Sequence, residues 1–400
     1  MGGSTSTEVA IKKLRAQKLA EFELPEQGEP PVSLVESLAA GAANSQVLTS
    51  VSIEGFAWPR GHLCALCAGL QHSTTLQRFA FCGAPSAFAE GAISYFAPIL
   101  ASVDSLLEFS ISDANLRHQD IHVIRKALQD RMGPPLRCLN LRRNQIGGFG
   151  VEVCASILEK PAGQLQVLDL SHNDILEGGL RYISRVLETN SSLVELYLSG
   201  NFLASNDARS LAHALRCNTS LRILQLSDNE VDDTGAGFLA GMLEENRTLL
   251  SLTLERNRIS ELGGEALFKA SKRGRTLCEL LLAGNEGITE ALQTLIAHHM
   301  WGYSFVESPV EDKYKSGLFG GPVDGGEQEV EDLEEGEDEV GRQLLRIQGD
   351  LQAEGTPMPA TQLGRTRSYF VRKASTRVGP TSRSQQRGAG VSSLSNAVSR

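Results

Sequence analysis

One phrase recurs six times along the middle of this chain and constrains its fold more than any other feature. Its copies are LRCLNLRRNQI, LQVLDLSHNDI, LVELYLSGNFL, LRILQLSDNEV, LLSLTLERNRI and LCELLLAGNEG, between Leu136 and Gly287. Each reads L-x-x-L-x-L-x-x-N-x-apolar, except the last, where Gly287 delays the apolar residue to Ile288. The asparagines Asn144, Asn173, Asn201, Asn229, Asn257 and Asn285 keep a near-constant interval, longer by one at the first step and identical at every later one. A fixed period of this length describes a solenoid, in which each unit buries its apolar face only against its neighbours.

The phrase also specifies local structure. L-x-L alternates with period two, so the leucines share one face of a short strand and the intervening residues share the other. The Asn amide both donates and accepts, which suits it to backbone groups of adjacent coils and predicts a ladder of six. After each Asn the period becomes helical. Apolar columns fall at Asn+10 (Cys154, Ile183, Leu211, Leu239, Leu267) and at Asn+14 (Leu158, Leu187, Leu215, Leu243). Glycines at Asn+6 (Gly150, Gly179, Gly235, Gly263) are read as the turn between strand and helix. One unit is therefore strand, turn, helix, and the predicted fold is a curved α/β solenoid, or horseshoe. Parallel strands line its concave side and helices lie outside. The phrase is the leucine-rich-repeat signature, and a long unit with a full helix resembles the ribonuclease-inhibitor-like subfamily.

The same coil continues backward. LTSVSI, LQRFAF and LLEFSI precede the regular copies, and their leading leucines Leu48, Leu76 and Leu106 run on into Leu136 and Leu165 at nearly the same interval. Phe56, Ala84 and Ala114 stand in the Asn position. Nine coils result, with the first three expected to be less regular and less stable. A helix from Val32 caps one end. The helix EALQTLIAHHM, followed by Trp301, Tyr303 and Phe305, closes the other. The predicted divisions are a leader over 1–31, a repeat domain over 32–305 and a tail over 306–400.

The flanks differ in composition. The start MGGSTS fits an N-myristoylation signal at Gly2, and EVAIKKLRAQKLAEF reads as a basic amphipathic helix. Together they imply peripheral membrane contact through the N-terminus; the plainer reading is a polar leader. After Pro309 an acidic block, with ten carboxylates and no cation between Asp324 and Glu339, gives way to eight Lys/Arg and no acid from Arg365 to Arg400. Neither block holds enough apolar surface to fold alone. Ser368 and Ser375 follow basic residues and fit kinase sites, where phosphate would reverse the local charge.

A net charge of −10 argues against nucleic acid as a partner. Seven irregularly spaced cysteines fit reduced thiols, and no signal peptide or membrane-length apolar run is visible, which together predict a cytoplasmic protein. His62-x-Cys64-x-x-Cys67 superficially resembles a metal site, but it has the composition of a repeat helix with small apolar cysteines. Asn190, Asn218 and Asn246 match glycosylation sequons, yet each stands at the end of its repeat helix, where it is read as a left-handed C-cap. No phosphate loop, nucleophile elbow or metalloprotease helix is present, so neither an enzyme nor a cofactor is predicted.

The candidate binding residues are those that the strands aim at the concave side. They are Asn140, Arg142, Asp169, Glu195, Tyr197, Gln225, Thr253, Glu255 and Glu279, with Arg143, His172, Asp228 and Arg256 just beyond the strands. A rigid polar face carrying Tyr and Arg is what protein interfaces use. The expected function is a non-enzymatic scaffold or adaptor for a protein partner, in a cytoskeletal or ciliary assembly. Charge changes on the outer helices, at Arg181 or Arg209, are expected to matter little. The alternative is a small-GTPase regulator, because repeats followed by an acidic block resemble Ran GTPase-activating protein; the degenerate first three coils offer no motif to carry over.

Overall fold

A computed structural model describes residues 21–24, 32–54, 60–83, 93–131, 133, 135–159 and 164–301. All of them lie in the first of two units, Met1–Asp324 and Gly325–Arg400. Ten parallel strands run in sequence order through one sheet: β1 Glu21–Leu24, β2 Ser50–Glu54, β3 Arg78–Cys82, β4 Glu108–Ser112, β5 Cys138–Asn140, β6 Val167–Asp169, β7 Glu195–Tyr197, β8 Ile223–Gln225, β9 Ser251–Thr253 and β10 Glu279–Leu281. The helices between and after them are α1 Val32–Ala43, α2 Arg60–Leu70, α3 Ile93–Ser102, α4 His118–Asp130, α5 Gly147–Leu158, α6 Arg181–Leu187, α7 Ser205–Cys217, α8 Asp233–Glu245, α9 Glu261–Gly274 and α10 Glu290–Trp301. Neighbouring strands sit about 4.7–4.9 Å apart, whereas packed helices need about 8–10 Å. A coil with one of each must bend toward its strand side.

The nine strands expected from the sequence are joined by a tenth. Glu21–Leu24, read as the end of a leader helix and the start of a linker, pairs parallel with β2 from Glu21↔Ser50 to Leu24↔Ile53. The backbone groups along the edge of β2 need partners, and the alternation EFEL supplies a segment of the right period. The remainder of the leader, Trp301's side chain, Tyr303, Phe305 and the tail lie outside the described residues.

The Asn residues form the ladder. Asn201 Nδ2 donates to Leu170 O (3.1 Å) of the preceding coil and to Leu198 O (2.9 Å) of its own, while its Oδ1 accepts from the backbone N of Asn173 (2.9 Å) and Ile175 (3.1 Å). Asn144, Asn229, Asn257 and Asn285 repeat this bridge, each reaching one coil back. Asn173 departs from it: its Nδ2 reaches Leu141 O (2.9 Å), but its buried Oδ1 has no partner among the described residues. In the preceding coil Asn144 N, which would match the Asn173 N–H donor of the next rung, goes to His172 O (3.1 Å), and Gly147, at φ +60°, donates to Asn173 O (3.0 Å).

Two readings of the repeat need correction. Of the Asn+6 glycines only Gly179 lies in a turn, at 177–180; Gly150, Gly235 and Gly263 are already inside their helices. None of Gly150, Gly179, Gly235 and Gly263 has a positive φ. A Cβ there would instead strike the apolar residue at Asn+2 (Ile146, Ile175, Val231 or Ile259), so glycine lets the helix start close over the strand end. The asparagines at the helix ends are not left-handed caps either, since Asn218 (φ −69°, ψ 136°) and Asn246 (φ −67°, ψ 138°) are extended. They build a second ladder, at the other end of the helices. Asn218 Nδ2 donates to Leu187 O (2.7 Å) and Asn190 O (3.0 Å), and its Oδ1 accepts from Ser220 N and Leu221 N. Asn246 does the same one coil later. Their amide nitrogens are thus buried and engaged in the folded chain.

Where the first ladder is missing, other chemistry replaces it. Strands β2 to β4 are five residues long and β5 to β10 three, because no Asn turns the chain away after the third residue. Phe79, Phe81, Phe96 and Phe109 are fully buried there, with the Phe79 and Phe109 rings stacked at 5.8 Å. In place of a helix-end Asn, Arg131 donates to four carbonyls, of Leu100, Val103, Asp104 and Leu106. The cysteine reading holds in part. Cys67 and Cys154 are buried, and burial pushes the Cys154 thiol up to about 12, but Cys64 and Cys217 are exposed. No group of three metal-ligating side chains occurs among the described residues.

Candidate functional site, the open face of the sheet

Strand register sorts the candidate residues into rows. Asn140, Asp169, Tyr197, Gln225, Thr253 and Leu281 are consecutive partners and form one row across β5 to β10. Glu195 and Glu279 belong to the row beside it, with Cys138, Val167, Ile223 and Ser251. Those four share the face and were passed over in the sequence; their place at the third position of each copy is the signal that would have found them. Arg142 and Glu255 lie two residues past the first row.

Not all of these side chains are open. Asn140, Asp169, Glu195 and Thr253 are buried. Asn140 Oδ1 accepts from Arg142 N (2.9 Å) and Asp169 Oδ1 from Ser171 N (2.8 Å), so both turn back onto their own backbone where the strand ends. Burial pushes the Asp169 carboxyl up, and the bond from Ser171 and the charges of Arg142 and His172 only partly oppose it. Arg142, Tyr197, Gln225, Glu255 and Glu279 are half-buried. Tyr197 OH donates to Glu195 Oε2 (2.8 Å), and Ser251 Oγ donates to Glu279. Arg142 Nε is buried without a partner among the described residues.

Arg143, His172, Asp228 and Arg256 share one backbone device. Each precedes its ladder position in the left-handed region, at φ 54°, 56°, 56° and 50°, as Asp113, Gly200 and Gly284 do in their coils. Such a conformation costs a non-glycine residue about 1–2 kcal/mol, and it lines these side chains up from coil to coil. Arg143 pairs with Asp113 at 3.6 Å. Arg256 engages both oxygens of Asp228, with Nη2 to Oδ2 at 2.6 Å, and this bond holds the Asp228 carboxyl below its usual range. The His172 ring fills the space where a side chain on Gly200 would sit. Burial, followed by the charges of Arg142 and Arg143, pushes its pKa down. The arrangement is a fixed, polar, mixed-charge surface. Gly2, Ser368 and Ser375 lie outside the described residues.

A family model described as a leucine-rich repeat matches residues 134–153, 165–184, 217–240 and 245–268. Among solved structures, actin-binding site 2 of leiomodin-1 is similar to this chain at 19% identity and a TM-score of 0.35, over 42% of this chain and 92% of that one. At that level nothing about binding carries across. No curated protein matches the chain. Over those four stretches the chain carries leucine-rich repeats, and the fold they build is an α/β leucine-rich-repeat solenoid.

Proposed function

We propose that the chain is a non-enzymatic protein-interaction scaffold whose partner docks on the sheet face between β5 and β9. The observation that carries this reading is that the face is already held in place by its own contacts, Tyr197 on Glu195, Arg256 on Asp228, Arg143 on Asp113 and His172 over Gly200. A partner meeting such a surface loses little ordering entropy. The test begins with cross-linking of the full chain in native cells to obtain the partner. Tyr197→Ala and Arg142→Glu are then each expected to weaken its binding by at least about 1 kcal/mol, while Arg185→Glu on α6 leaves it unchanged. A partner that binds all three variants like the parent would take the sheet face out of this reading.

The long, near-constant period with a helix in every coil supports grouping the repeats with the ribonuclease-inhibitor-like kind. We further place the protein in the cytoplasm, as part of a cytoskeletal or ciliary assembly, tethered to membranes through a lipid on Gly2 and modulated by phosphate on Ser368 and Ser375. Gly2→Ala is expected to move it from the membrane pellet to the supernatant. An unmodified or merely acetylated N-terminus by mass spectrometry would remove the tether.

A further inference from the structure

Six large apolar side chains are exposed among the described residues, and only Leu281 is on the sheet face. The other five, Phe149, Leu176, Tyr182, Phe202 and Leu262, lie along the edge where strands hand over to helices. Three of them are in consecutive coils. Phe149 is 76% exposed, Leu176 64% and Phe202 47%. The coils that carry them are bound together at this edge, by Gly147 N to Asn173 O (3.0 Å) and Phe202 N to Ile175 O (2.9 Å). The backbones of Gly148 and Gly179 also come together there, which brings Phe149 next to the coil of Leu176. In the coil of Asn229 the corresponding positions hold Glu230, Asp232 and Thr234. The run over three consecutive coils stops at that coil, with Leu262 exposed at the Phe149 position one coil further on, and clustered exposed apolar residues of this kind mark contact sites.

The first turn of the middle coil is also reshaped. Its helix, α6, starts eight residues after Asn173, whereas α7, α8 and α9 start four residues after their Asn. Leu176 stands where α8 and α9 have the capping Asp232 and Ser260. The freed N–H groups of Gly178 and Leu180 go to the buried carboxylate of Asp207 from the next coil (3.0 and 3.2 Å). Leu176 is therefore held outward by a bond network of its own.

Charge around the ridge indicates what it receives. Arg117, next to the His118 ring that lies 6.2 Å from the Phe149 ring, Arg181 and Arg209 are exposed on the coils that carry or flank it. Arg181 lies 4.7 Å over the Tyr182 ring, and Arg209 is on the neighbouring α7. The exposed carboxylates of the Leu176 coil are Asp174 and Glu177 on this side and Glu188 at the far end of α6, and Glu177 is already taken by Asn206 (2.7 Å). In a chain of net charge −10 this is a basic surround to an apolar line. We propose that the Phe149–Leu176–Phe202 ridge is a docking edge for a partner segment whose large apolar residues are flanked by Asp or Glu. It is a different surface from the sheet face, so the two readings can fail separately.

The test uses a displayed library of random peptides, selected on the full-length protein. Enriched peptides are expected to combine two or three large apolar residues with adjacent acids. Their binding should fall at least about tenfold with Phe149→Ser/Phe202→Ser, and also with Arg181→Glu. Tyr197→Ala and Arg142→Glu should not change it. Because the ridge residues are exposed, an unchanged melting curve checks that the variants are folded. The proposal is overturned by peptides that are basic or lack apolar residues, or by peptides lost only with Tyr197→Ala and Arg142→Glu, an outcome that keeps the sheet-face reading. Two further results overturn it: ridge-dependent binding to phosphatidylserine vesicles with no peptides enriched, and concentration-dependent self-association abolished by the Phe149→Ser/Phe202→Ser change.

Discussion

Asp207 occupies the place that glycine holds in four other coils, and it is buried with a carboxylate that accepts from Gly178, Leu180 and Ala204. Burial pushes its pKa up in spite of those bonds. Asp207→Asn keeps an acceptor for Gly178 and Leu180 but turns an NH2 toward the Ala204 N–H, so it is expected to destabilise, though less than loss of the whole side chain. Asp207→Ala leaves three N–H groups unpaired and should cost about 1–3 kcal/mol by denaturant unfolding. His172 works in the opposite sense. Its folded pKa is lowered, so the folded state prefers the neutral ring. The stability tied to it is present above the unfolded value of about 6.5 and is lost as pH falls through the folded one. His172→Gln should flatten the fall in melting temperature between neutral and mildly acidic pH. A slope equal to the parent's would show that other groups carry it.

At the scale of elements, two ladders of side-chain hydrogen bonds tie coil to coil beside the shared core. They are not uniform along their length. Asn201 uses both ends of its amide, whereas Asn173 has an unmatched buried Oδ1. Asn201→Ala is therefore expected to cost about 1–3 kcal/mol and Asn173→Ala distinctly less. Equal losses in melting experiments would mean that the carbonyl half of the amide contributes little. Arg131 shows that the second ladder can be kept by other chemistry. One guanidinium planted among four carbonyls does there what Asn218 and Asn246 do in later coils.

On the scale of the molecule, each coil touches mainly its neighbours, so stability is close to a sum of coil and interface terms. The coils of β2 to β4 are tied by a phenylalanine cluster, since Phe96 lies 5.7 Å from Phe79 and 5.1 Å from Phe81. Phe79→Ala should cost about 3–5 kcal/mol. It should also release β2 to β4 before β7 to β9, seen as earlier hydrogen exchange in the first set. Simultaneous loss across all coils would mean that the solenoid unfolds as one unit.

Strand, helix, coil count from β2 onward and the buried leucine columns were legible in the sequence because they depend on period alone. A leucine at every second position must share a face, and an Asn that recurs once per coil must meet its copies. The ladder donors Asn144, Asn201, Asn229, Asn257 and Asn285 follow from that arithmetic. What period cannot show is which neighbour a side chain finds. Asn140 and Asp169 look like open face residues in the sequence, but each curls onto the backbone just beyond its strand. The glycine at Asn+6 looks like a turn, but what it avoids is a collision with the residue at Asn+2. Glu21–Leu24 becomes a strand only because β2 offers an edge. Leu176 points outward because the Asp207 carboxylate, from the next coil, holds its turn open. Local pattern sets the repeat; contacts between coils, which no single copy contains, decide which residues remain on the surface.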